Sequence, residues 1–277
     1  MSNFDIELVG KVGSMALINE RNKDIDYNVI ARLSRELRPG YIWVTSGAAE
    51  IGRLDYMLRN NGAELDETDE NSKVDYASQG QSILMSTYRQ FMDSRYSLRQ
   101  ILVEHTHFND EEKREHLRQL LVRCPSQNAV PIINYNDPVS HDEIVKVELE
   151  KYRKKGIKAV QCIDNDETAS QIACLVKTRR LVIMTSVDGI YSDFRDKNTL
   201  VREIGGKDIY EVLDSINHFQ EGCHGSSRKG ANGAWAKLEY IKAPVMNGTE
   251  VFIANSQYSI DDIISGKAPS TRIGVKR

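Results

Sequence analysis

Short apolar runs rich in branched side chains recur along the chain. They predict buried β-strands at residues 41–44, 100–103, 129–133, 181–184 and 251–254. Between them, apolar residues return every three or four positions, which predicts amphipathic helices within residues 29–37, 83–91, 117–121 and 169–176. Strands that alternate with helices favour right-handed crossovers onto one sheet. The pattern therefore predicts an α/β fold with a mainly parallel central sheet and helices on both faces.

Two stretches interrupt this alternation, an acidic one at residues 60–75 and one of mixed charge at residues 146–158. We expect each to be a surface excursion or a hairpin, because the alternation of strands and helices resumes directly after it. The whole chain, residues 1–277, is therefore expected to form a single domain. In such a sheet, ligands bind beyond the carboxyl ends of the strands, and that is where this chain carries its small polar residues.

Composition narrows the class of protein. The chain has 277 residues, of which 40% are hydrophobic and 28% charged, and this balance is typical of a globular protein rather than a disordered or membrane-embedded one. Its net charge is -3 and no block of Lys and Arg stands clear of acidic residues, so nucleic acid is not an expected partner. No apolar run approaches the roughly 20 residues that span a bilayer, so a membrane is not expected either. The acidic first residues do not resemble a signal peptide, which predicts a cytoplasmic location.

The spacing of the cysteines and histidines does not predict a metal site. The four cysteines contain no C-x-x-C pair, so we expect reduced structural thiols. His105 and His107 alternate as ligands on a strand would, but no tight set of four ligands accompanies them. No metal held by protein side chains is expected.

Near the N-terminus, Lys11 is followed by Gly13 and Ser14. This is not a Walker A loop, because Asp5 and Val12 stand where that motif needs Gly and Ser or Thr. A lysine at the end of a strand, followed by a glycine that exposes backbone N–H groups, is still suited to a phosphate group. The alternative is a solvated lysine without a ligand.

Small polar residues follow two of the predicted strands. Ser46 and Gly47 lead from a buried strand into a helix, where a ligand could approach the helix N-terminus. Asn134 and Asp137 follow another buried strand and offer amide donors and a carboxylate to a small molecule with amino or carboxyl groups. A tight packing turn and an Asx-turn, respectively, are the structural alternatives.

Three further segments combine turn residues with charged side chains. Residues 164–166 read Asp-Asn-Asp at the start of a helix, and capping alone accounts for only one of the two acids. We infer that the surplus orients a substrate or a lysine. Residues 185–191 contain an Asp-Gly pair that could be no more than a turn. Residues 230–237 form a glycine-containing loop that ends in Lys237 and does not specify a ligand by itself.

Taken in order, these segments resemble the amino acid kinase family, and within it the glutamate 5-kinases. The resemblance extends over nearly the whole chain and includes residues 79–81, 142–144 and 253–255. Its most specific part is the pair Pro-Ile-Ile-Asn-x-Asn-Asp at residues 131–137 and Asp-Asn-Asp at residues 164–166.

The resemblance implies the amino acid kinase fold, a three-layer sandwich around a mainly parallel sheet. It also implies ATP-dependent phosphorylation of the L-glutamate side-chain carboxylate to γ-glutamyl phosphate, the first step of proline biosynthesis, with Mg²⁺ accompanying ATP. The half of the chain at about residues 1–165 would bind the acceptor, and the half at about residues 166–277 would bind the nucleotide. The form implied is a homo-oligomer, a dimer or a tetramer, without the C-terminal RNA-binding-like module of many members.

Site residues follow from the resemblance, position by position. Lys11 and Lys237 would flank the transferring phosphoryl group, and Asp166 would hold both ammonium groups as the third catalytic residue. The residues expected to bind the substrate are Ser46, Gly47, Asn134, Asp137 and Asn165. The residues expected to bind the nucleotide are Gly13, Ser14, Thr185, Ser186, Asp188 and Gly233.

Departures from the family pattern leave two alternatives open. Ser186 stands where many members have Asp, and the loop at residues 230–237 lacks the usual middle glycine and threonine. Residues 146–158 are additional to the usual short connection. The first alternative is a kinase of the same fold with another small acidic acceptor. The second is a non-catalytic sensor or storage protein that binds a nucleotide or an oxyanion.

Overall fold

A computed structural model describes the chain at residues 4–66, 68–140, 142–154, 156, 159–162, 164–193, 195–222 and 233–276. The chain divides into two compact units. The first unit comprises Met1–Val12, Gly40–Ile42 and Asp166–Arg277, and the second comprises Gly13–Pro39 and Trp43–Asn165.

The β-strands in these ranges are, in chain order, β1 (Ile6–Val12), β2 (Ile18–Asn19), β3 (Asp24–Ile25), β4 (Tyr41–Thr45), β5 (Ser97–Val103), β6 (Ala129–Tyr135), β7 (Thr178–Thr185), β8 (Glu203–Gly206), β9 (Glu250–Asn255) and β10 (Ser270–Val275). The α-helices are α1 (Tyr27–Glu36), α2 (Ala48–Arg59), α3 (Glu70–Phe91), α4 (Thr106–Asn109), α5 (Glu111–Arg123), α6 (Asp142–Lys154), α7 (Asn165–Leu175), α8 (Ile209–Gly222), α9 (Gly233–Met246) and α10 (Ile260–Ile264).

Eight of these strands form one mainly parallel sheet flanked by helices, which confirms the predicted fold class. In the first unit, β7 pairs in parallel with β1 and β9, and β10 lies antiparallel to β9 and parallel to β8. In the second unit, β6 pairs in parallel with β5 and β4. Strands β4 and β7 read as nearly continuous apolar runs because each is covered on both faces.

The sheet register brings candidate residues to the carboxyl ends of the strands. In the first unit, Lys11 pairs with Ile183, one position before the last residue pair of β1 and β7. In the second unit, Asn134 is the penultimate residue of β6, and Ser46 directly follows β4. This is the edge at which parallel α/β sheets present ligand-binding loops.

The core of the second unit contains a polar group of three side chains. The Trp43 indole donates to the Tyr88 hydroxyl at 3.0 Å, and the Thr45 hydroxyl lies 3.0 Å from the same oxygen. Burial raises the pKa of Tyr88 to about 12, although both hydrogen bonds act in the opposite direction. Tyr88 therefore remains a neutral phenol that satisfies a buried indole N–H.

The two interrupting stretches, predicted as surface excursions or hairpins, both contain helical residues. Residues 146–154 belong to α6 and are helical, so a hairpin there was the wrong expectation. Val145 and Leu149 lie four residues apart, and Leu149 is buried, which gives this helix an apolar face. The acidic stretch runs into α3, which begins at Glu70 because the Asp69 side chain accepts a backbone hydrogen bond from the first turn.

None of the helices in the described ranges is both long and apolar enough to span a bilayer.

Candidate active site

Three charged side chains of the first unit meet in one buried cluster. The Asp166 carboxylate lies 2.6 Å from the Lys11 ammonium through Oδ1 and 2.9 Å from the Lys237 ammonium through Oδ2. The side chains of Lys11, Asp166 and Lys237 are 10%, 7% and 23% exposed. The structure therefore brings together the three residues predicted as catalytic, and it uses both oxygens of one carboxylate to hold two cations.

The charge balance of this cluster favours an anionic ligand. Burial alone raises the pKa of Asp166, but attraction to Lys11 and Lys237 outweighs burial and holds that pKa below its usual value. Asp166 is therefore ionised at neutral pH. One carboxylate between two ammonium groups leaves a positive charge in a partly dry site, which an incoming phosphate can offset.

Local sequence explains the geometry of the cluster. Asp166 lies in the first turn of α7, where backbone N–H groups and the helix dipole stabilise a carboxylate. Lys237 is the fifth residue of α9, whose first residue, Gly233, has φ +50. Lys11 is near the end of β1, whose neighbouring residues are almost all buried. Each of the three charged side chains therefore extends from a β-strand or an α-helix rather than from a long loop.

A second cluster, of amides and a hydroxyl, lies in the second unit. The Asn165 amide donates to Ser46 Oγ and to Asn134 Oδ1, each at 3.0 Å. The Asn134 amide in turn donates to Gln81 Oε1 at 2.8 Å, and Asn134 Oδ1 also accepts from the Tyr135 backbone N–H at 2.9 Å. Three of the predicted substrate-binding residues, Ser46, Asn134 and Asn165, therefore form one hydrogen-bonded chain.

Gly47 caps the N-terminus of α2 in the left-handed region, at φ +102. A side chain there would be strained, and a Cβ would come within 3.3 Å of Leu17 and 3.8 Å of the Ser14 Cα. The predicted residues Gly47 and Ser14 therefore lie close together at the N-terminus of α2, the end of a helix that generally favours an anion.

Asp137, also predicted to bind substrate, pairs with a cation instead of joining the amide chain. Its carboxylate lies 3.4 Å from the Lys73 ammonium. It lines a cavity of about 1020 Å³ in the second unit. The other residues that line this cavity come mainly from α2, α3 and α6: Ala49, Glu50, Arg53, Glu64, Thr68, Asp69, Asn71, Lys73, Val74, Tyr76, Tyr135, Ser140, Val145, Lys146, Leu149, Gln161 and Cys162.

The residues predicted to bind nucleotide occupy strand-end turns. Thr185 ends β7, and its hydroxyl donates to the Val187 carbonyl at 2.8 Å and accepts from the Val187 N–H at 3.0 Å. Ser186 is exposed, and its carbonyl accepts from the Asn255 amide at 3.2 Å. Asp188 is half-buried beside Tyr191.

Gly13 has an extended backbone, with φ -77 and ψ 154, and precedes a short 3₁₀ segment that starts at Ser14. Of the loop at residues 230–237, residues 230–232 lie outside the described part of the chain, whereas Gly233–Lys237 belong to α9.

Sequence reasoning assigned no role to Gln81 or Lys73, which contact the candidate residues Asn134 and Asp137 in the structure. Gln81 was included in the family resemblance, but no role was assigned to it, and Lys73 lay in the acidic stretch that we expected to be a surface excursion. Both contacts join residues more than 50 positions apart, so only the fold brings them together. The local sequence offered one indication, which is that Gln81 directly follows Gly80. At Gly80, helix α3 lies close to the backbone of α2.

The histidines and cysteines considered as metal ligands in the sequence do not form a metal site in the described structure. His105 and His107 do not lie on a strand, because β5 ends at Val103 and α4 begins at Thr106. Across the described residues, no group of three or more His, Cys, Asp or Glu side chains could hold a metal ion. Cys124, Cys162 and Cys174 form no disulfide within the described part of the chain, and Cys223 lies outside it.

The fold and the first cluster define a class: an α/β protein in which two lysines and one carboxylate form a candidate anion site at the carboxyl edge of a parallel sheet. A model of the amino acid kinase family matches residues 8–255. The chain therefore belongs to the amino acid kinase family.

Individual relatives agree with this assignment. Glutamate 5-kinase from Streptococcus suis is 30% identical over 257 residues, which cover 90% of this chain but only 64% of that protein. Glutamate 5-kinase from Clostridium perfringens is 25% identical over 279 residues, which cover 98% of this chain and 96% of that protein.

Solved structures show the same fold at low identity. Carbamate kinase from Giardia lamblia bound to AMP-PNP superposes with a TM-score of 0.62 at 13% identity, and the match covers 100% of both chains. UMP kinase from Ureaplasma parvum superposes with a TM-score of 0.55 at 12% identity, and the match covers 98% of this chain and 99% of that one. Together with the sheet topology, these matches confirm the predicted amino acid kinase fold.

Proposed function

We propose that this chain transfers the γ-phosphoryl group of ATP to the side-chain carboxylate of L-glutamate, forming γ-glutamyl phosphate and ADP. The observation that carries the proposal is the buried cluster of Lys11, Asp166 and Lys237, in which one carboxylate holds two ammonium groups 2.6 and 2.9 Å away. The similarity to glutamate 5-kinases from two bacteria supports L-glutamate as the acceptor. The product would then be the first intermediate towards proline.

In this reaction a carboxylate oxygen of glutamate attacks the γ-phosphorus, and the bond from that phosphorus to the bridging oxygen of ADP breaks. The attacking carboxylate is already an anion, so no side chain has to remove a proton from it. The main barrier is the concentration of negative charge between two anions. Lys11 and Lys237 offset that charge, and Asp166 keeps both ammonium groups in position without neutralising them completely.

The acceptor would be held by the second unit. Asn165 and Asp166 are consecutive residues at the beginning of α7, so the helix that orients the two lysines also carries an amide of the second cluster. Ser46, Asn134 and Asn165 offer hydroxyl and amide groups to the amino acid. The proposal also assigns Asp137 to the α-ammonium group and the backbone of Gly47 to a carboxylate.

The nucleotide would be held mainly by the half of the chain after residue 165, as a complex with Mg²⁺. We assign Thr185, Ser186, Asp188 and Gly233 to this role, together with Gly13 and Ser14 near the first lysine. Mg²⁺ supplies further charge neutralisation when it is bound, and phosphate oxygens and water provide most of its ligands. The protein's own contribution is the fixed pair of ammonium groups.

A different small acidic acceptor is the second candidate, and α6 favours it. Val145, Lys146 and Leu149 of this helix line the same cavity as Asp137. A cavity of about 1020 Å³ is also at the large end of the range that ligand sites usually span. An acceptor longer than glutamate would therefore find space beside α6.

Turnover with a panel of acceptors tests both candidates. The chain is incubated with ATP, Mg²⁺ and either L-glutamate, L-aspartate, N-acetyl-L-glutamate or UMP, in the presence of hydroxylamine, which converts an acyl phosphate into a hydroxamate. ADP and hydroxamate formed in equal amounts with L-glutamate support the proposal. ADP formation with another acceptor alone favours the second candidate, and nucleotide binding without turnover contradicts both and favours a non-catalytic sensor.

A further inference from the structure

A second cavity lies on the outer strands of the first unit. It has a volume of about 480 Å³, within the usual range of small-molecule sites, and is lined from β8, β9, β10 and α10. Strand β10 is three strands away from β1, which carries Lys11, and at about 4.8 Å per strand this is about 14 Å. Neither Lys11, Asp166 nor Lys237 lines the cavity, so it is separate from the lysine cluster.

The Arg272 guanidinium forms a fixed part of the cavity wall. Its Nε donates to Glu250 at 2.6 Å, its Nη1 to Glu203 at 2.7 Å and its Nη2 to the Val275 carbonyl at 2.9 Å. The side chain is only 19% exposed, and the two carboxylates offset its charge. These bonds leave two of the five guanidinium N–H groups without a partner among the described residues, in an orientation that is already fixed.

Two further cations, Arg202 and Lys276, line the same cavity. Both residues are exposed, and neither forms an ion pair with another described residue. The Arg202 carbonyl accepts from the Arg272 N–H at 2.9 Å, and the Lys276 N–H donates to the Gly206 carbonyl at 2.9 Å, so both are anchored to the strands through their backbone. The three cations outnumber the two carboxylates bonded to Arg272, and the cavity therefore favours an anion.

Two glycines keep the space beside Lys276 free of other side chains. Gly205 of β8 pairs with Gly274 of β10. A Cβ on Gly205 would lie 3.2 Å from the Lys276 Cγ and 3.2 Å from Glu203 Oε1, so both of these side chains extend over this glycine. A larger residue at position 205 would occupy that space, whereas glycine leaves it open.

We propose that this cavity binds a small phosphate monoester, whose phosphate group is held by Arg202, Lys276 and the remaining N–H groups of Arg272. Since the charge of Arg272 is already offset, the two unpaired cations determine the charge of the ligand. A phosphate monoester carries about 1.5 to 2 negative charges at neutral pH, and a carboxylate carries only one. Guanidinium groups also match the geometry of phosphate oxygens. The buried side chains of Phe252 and Ile263 offer an apolar floor to the carbon chain of the ester.

Binding calorimetry with propyl phosphate, at constant ionic strength, tests the proposal. The double variant Arg202→Gln/Lys276→Gln should bind propyl phosphate at least about tenfold more weakly than the wild-type chain, because two contacts to charged groups are lost. Lys267→Gln is the matched control: Lys267 is exposed, follows α10 and does not line the cavity. This control should keep the wild-type affinity.

A variant with the opposite expected effect separates binding from folding. Glu203→Gln still offers an oxygen to Arg272 but removes a negative charge from the cavity wall. We expect it to bind propyl phosphate at least about threefold more tightly, which a poorly folded variant would not do. Butanesulfonate has a similar size but a single charge, and it should bind the wild-type chain at least about tenfold more weakly than propyl phosphate.

The inference is wrong if propyl phosphate does not bind the wild-type chain, or if a folded double variant keeps the wild-type affinity. It is also wrong if Lys267→Gln weakens binding as much as the double variant, because the effect would then follow from net charge alone. None of these results bears on the proposed function, since the lysine cluster lies outside this cavity.

Discussion

Replacing Asp166 with asparagine removes the charge that holds two buried lysines and keeps the shape of the side chain. At an effective dielectric constant of about 20, unit charges 2.6 and 2.9 Å apart attract by about 6 kcal/mol each. Burying three charges offsets most of that attraction, and removal of one partner from a buried pair typically costs about 3–5 kcal/mol. Asparagine still offers an oxygen to one lysine, so we expect Asp166→Asn to lower the free energy of unfolding by about 3 kcal/mol.

Urea unfolding, followed by both circular dichroism and tryptophan fluorescence, measures this loss. Glu239→Gln is the matched control, because Glu239 also pairs with a lysine, Lys242, at 2.5 Å, but the glutamate side chain is 46% exposed. An exposed pair contributes only about 0–1 kcal/mol. Equal losses in the two variants would refute the view that burial makes the Asp166 cluster energetically distinct.

The pH dependence provides a second check on the same variant. Because the folded-state pKa of Asp166 is lowered, its stabilising contribution is present above the unfolded value of about 3.9 and is lost as the pH falls through the lower folded value. The difference in unfolding free energy between the wild-type chain and Asp166→Asn should therefore be constant from about pH 5 to 8 and shrink below about pH 4. A difference that grows towards low pH would contradict the assignment.

Three further predictions concern the fold around the site. Tyr88→Phe leaves the indole N–H of Trp43 buried without an acceptor and should cost about 1–3 kcal/mol in urea unfolding. Gly80→Ala places a Cβ 1.9 Å from a carbonyl oxygen of α2, so it should lower the melting temperature strongly, whereas Ser78→Ala at an exposed position of the same helix should not. Burial raises the pKa of Cys174 to about 12, so iodoacetamide at neutral pH should leave this thiol unmodified in the folded chain and alkylate it after unfolding, as read by mass spectrometry.

The sequence predicted the strands that are buried on both faces. Strands such as β4 and β7 are covered on both faces, so their residues form apolar runs that are visible without a structure. Strand β10 was not predicted, because it contains Thr271 and Arg272 among its apolar residues. The Thr271 hydroxyl accepts from the Ile190 N–H at 2.8 Å and donates to the Val201 carbonyl at 2.6 Å, so a polar residue is satisfied inside the sheet. Such pairing depends on segments distant in sequence.

The residues of the candidate site likewise include some that the sequence predicted and some that it did not. Lys11, Asp166 and Lys237 each lie next to a recognisable strand end, helix start or glycine-containing loop, and the family pattern was sufficient to group them. Gln81 and Lys73 lie within α3, where periodicity describes only which face is buried. Their partners, Asn134 and Asp137, lie in β6 and just after it, more than 50 positions away, so no local motif predicts these contacts.

The most direct test of the central claim compares two lysines on α9. Lys237 and Lys242 have side chains that are 23% and 25% exposed, and each pairs with a carboxylate, but only Lys237 belongs to the cluster with Asp166 and Lys11. With ATP, Mg²⁺ and saturating L-glutamate, Lys237→Met should lower kcat by about 100-fold or more, while Lys242→Met stays within about threefold of the wild-type rate. Wild-type turnover in a folded Lys237→Met variant would contradict the assignment of phosphoryl transfer to this cluster.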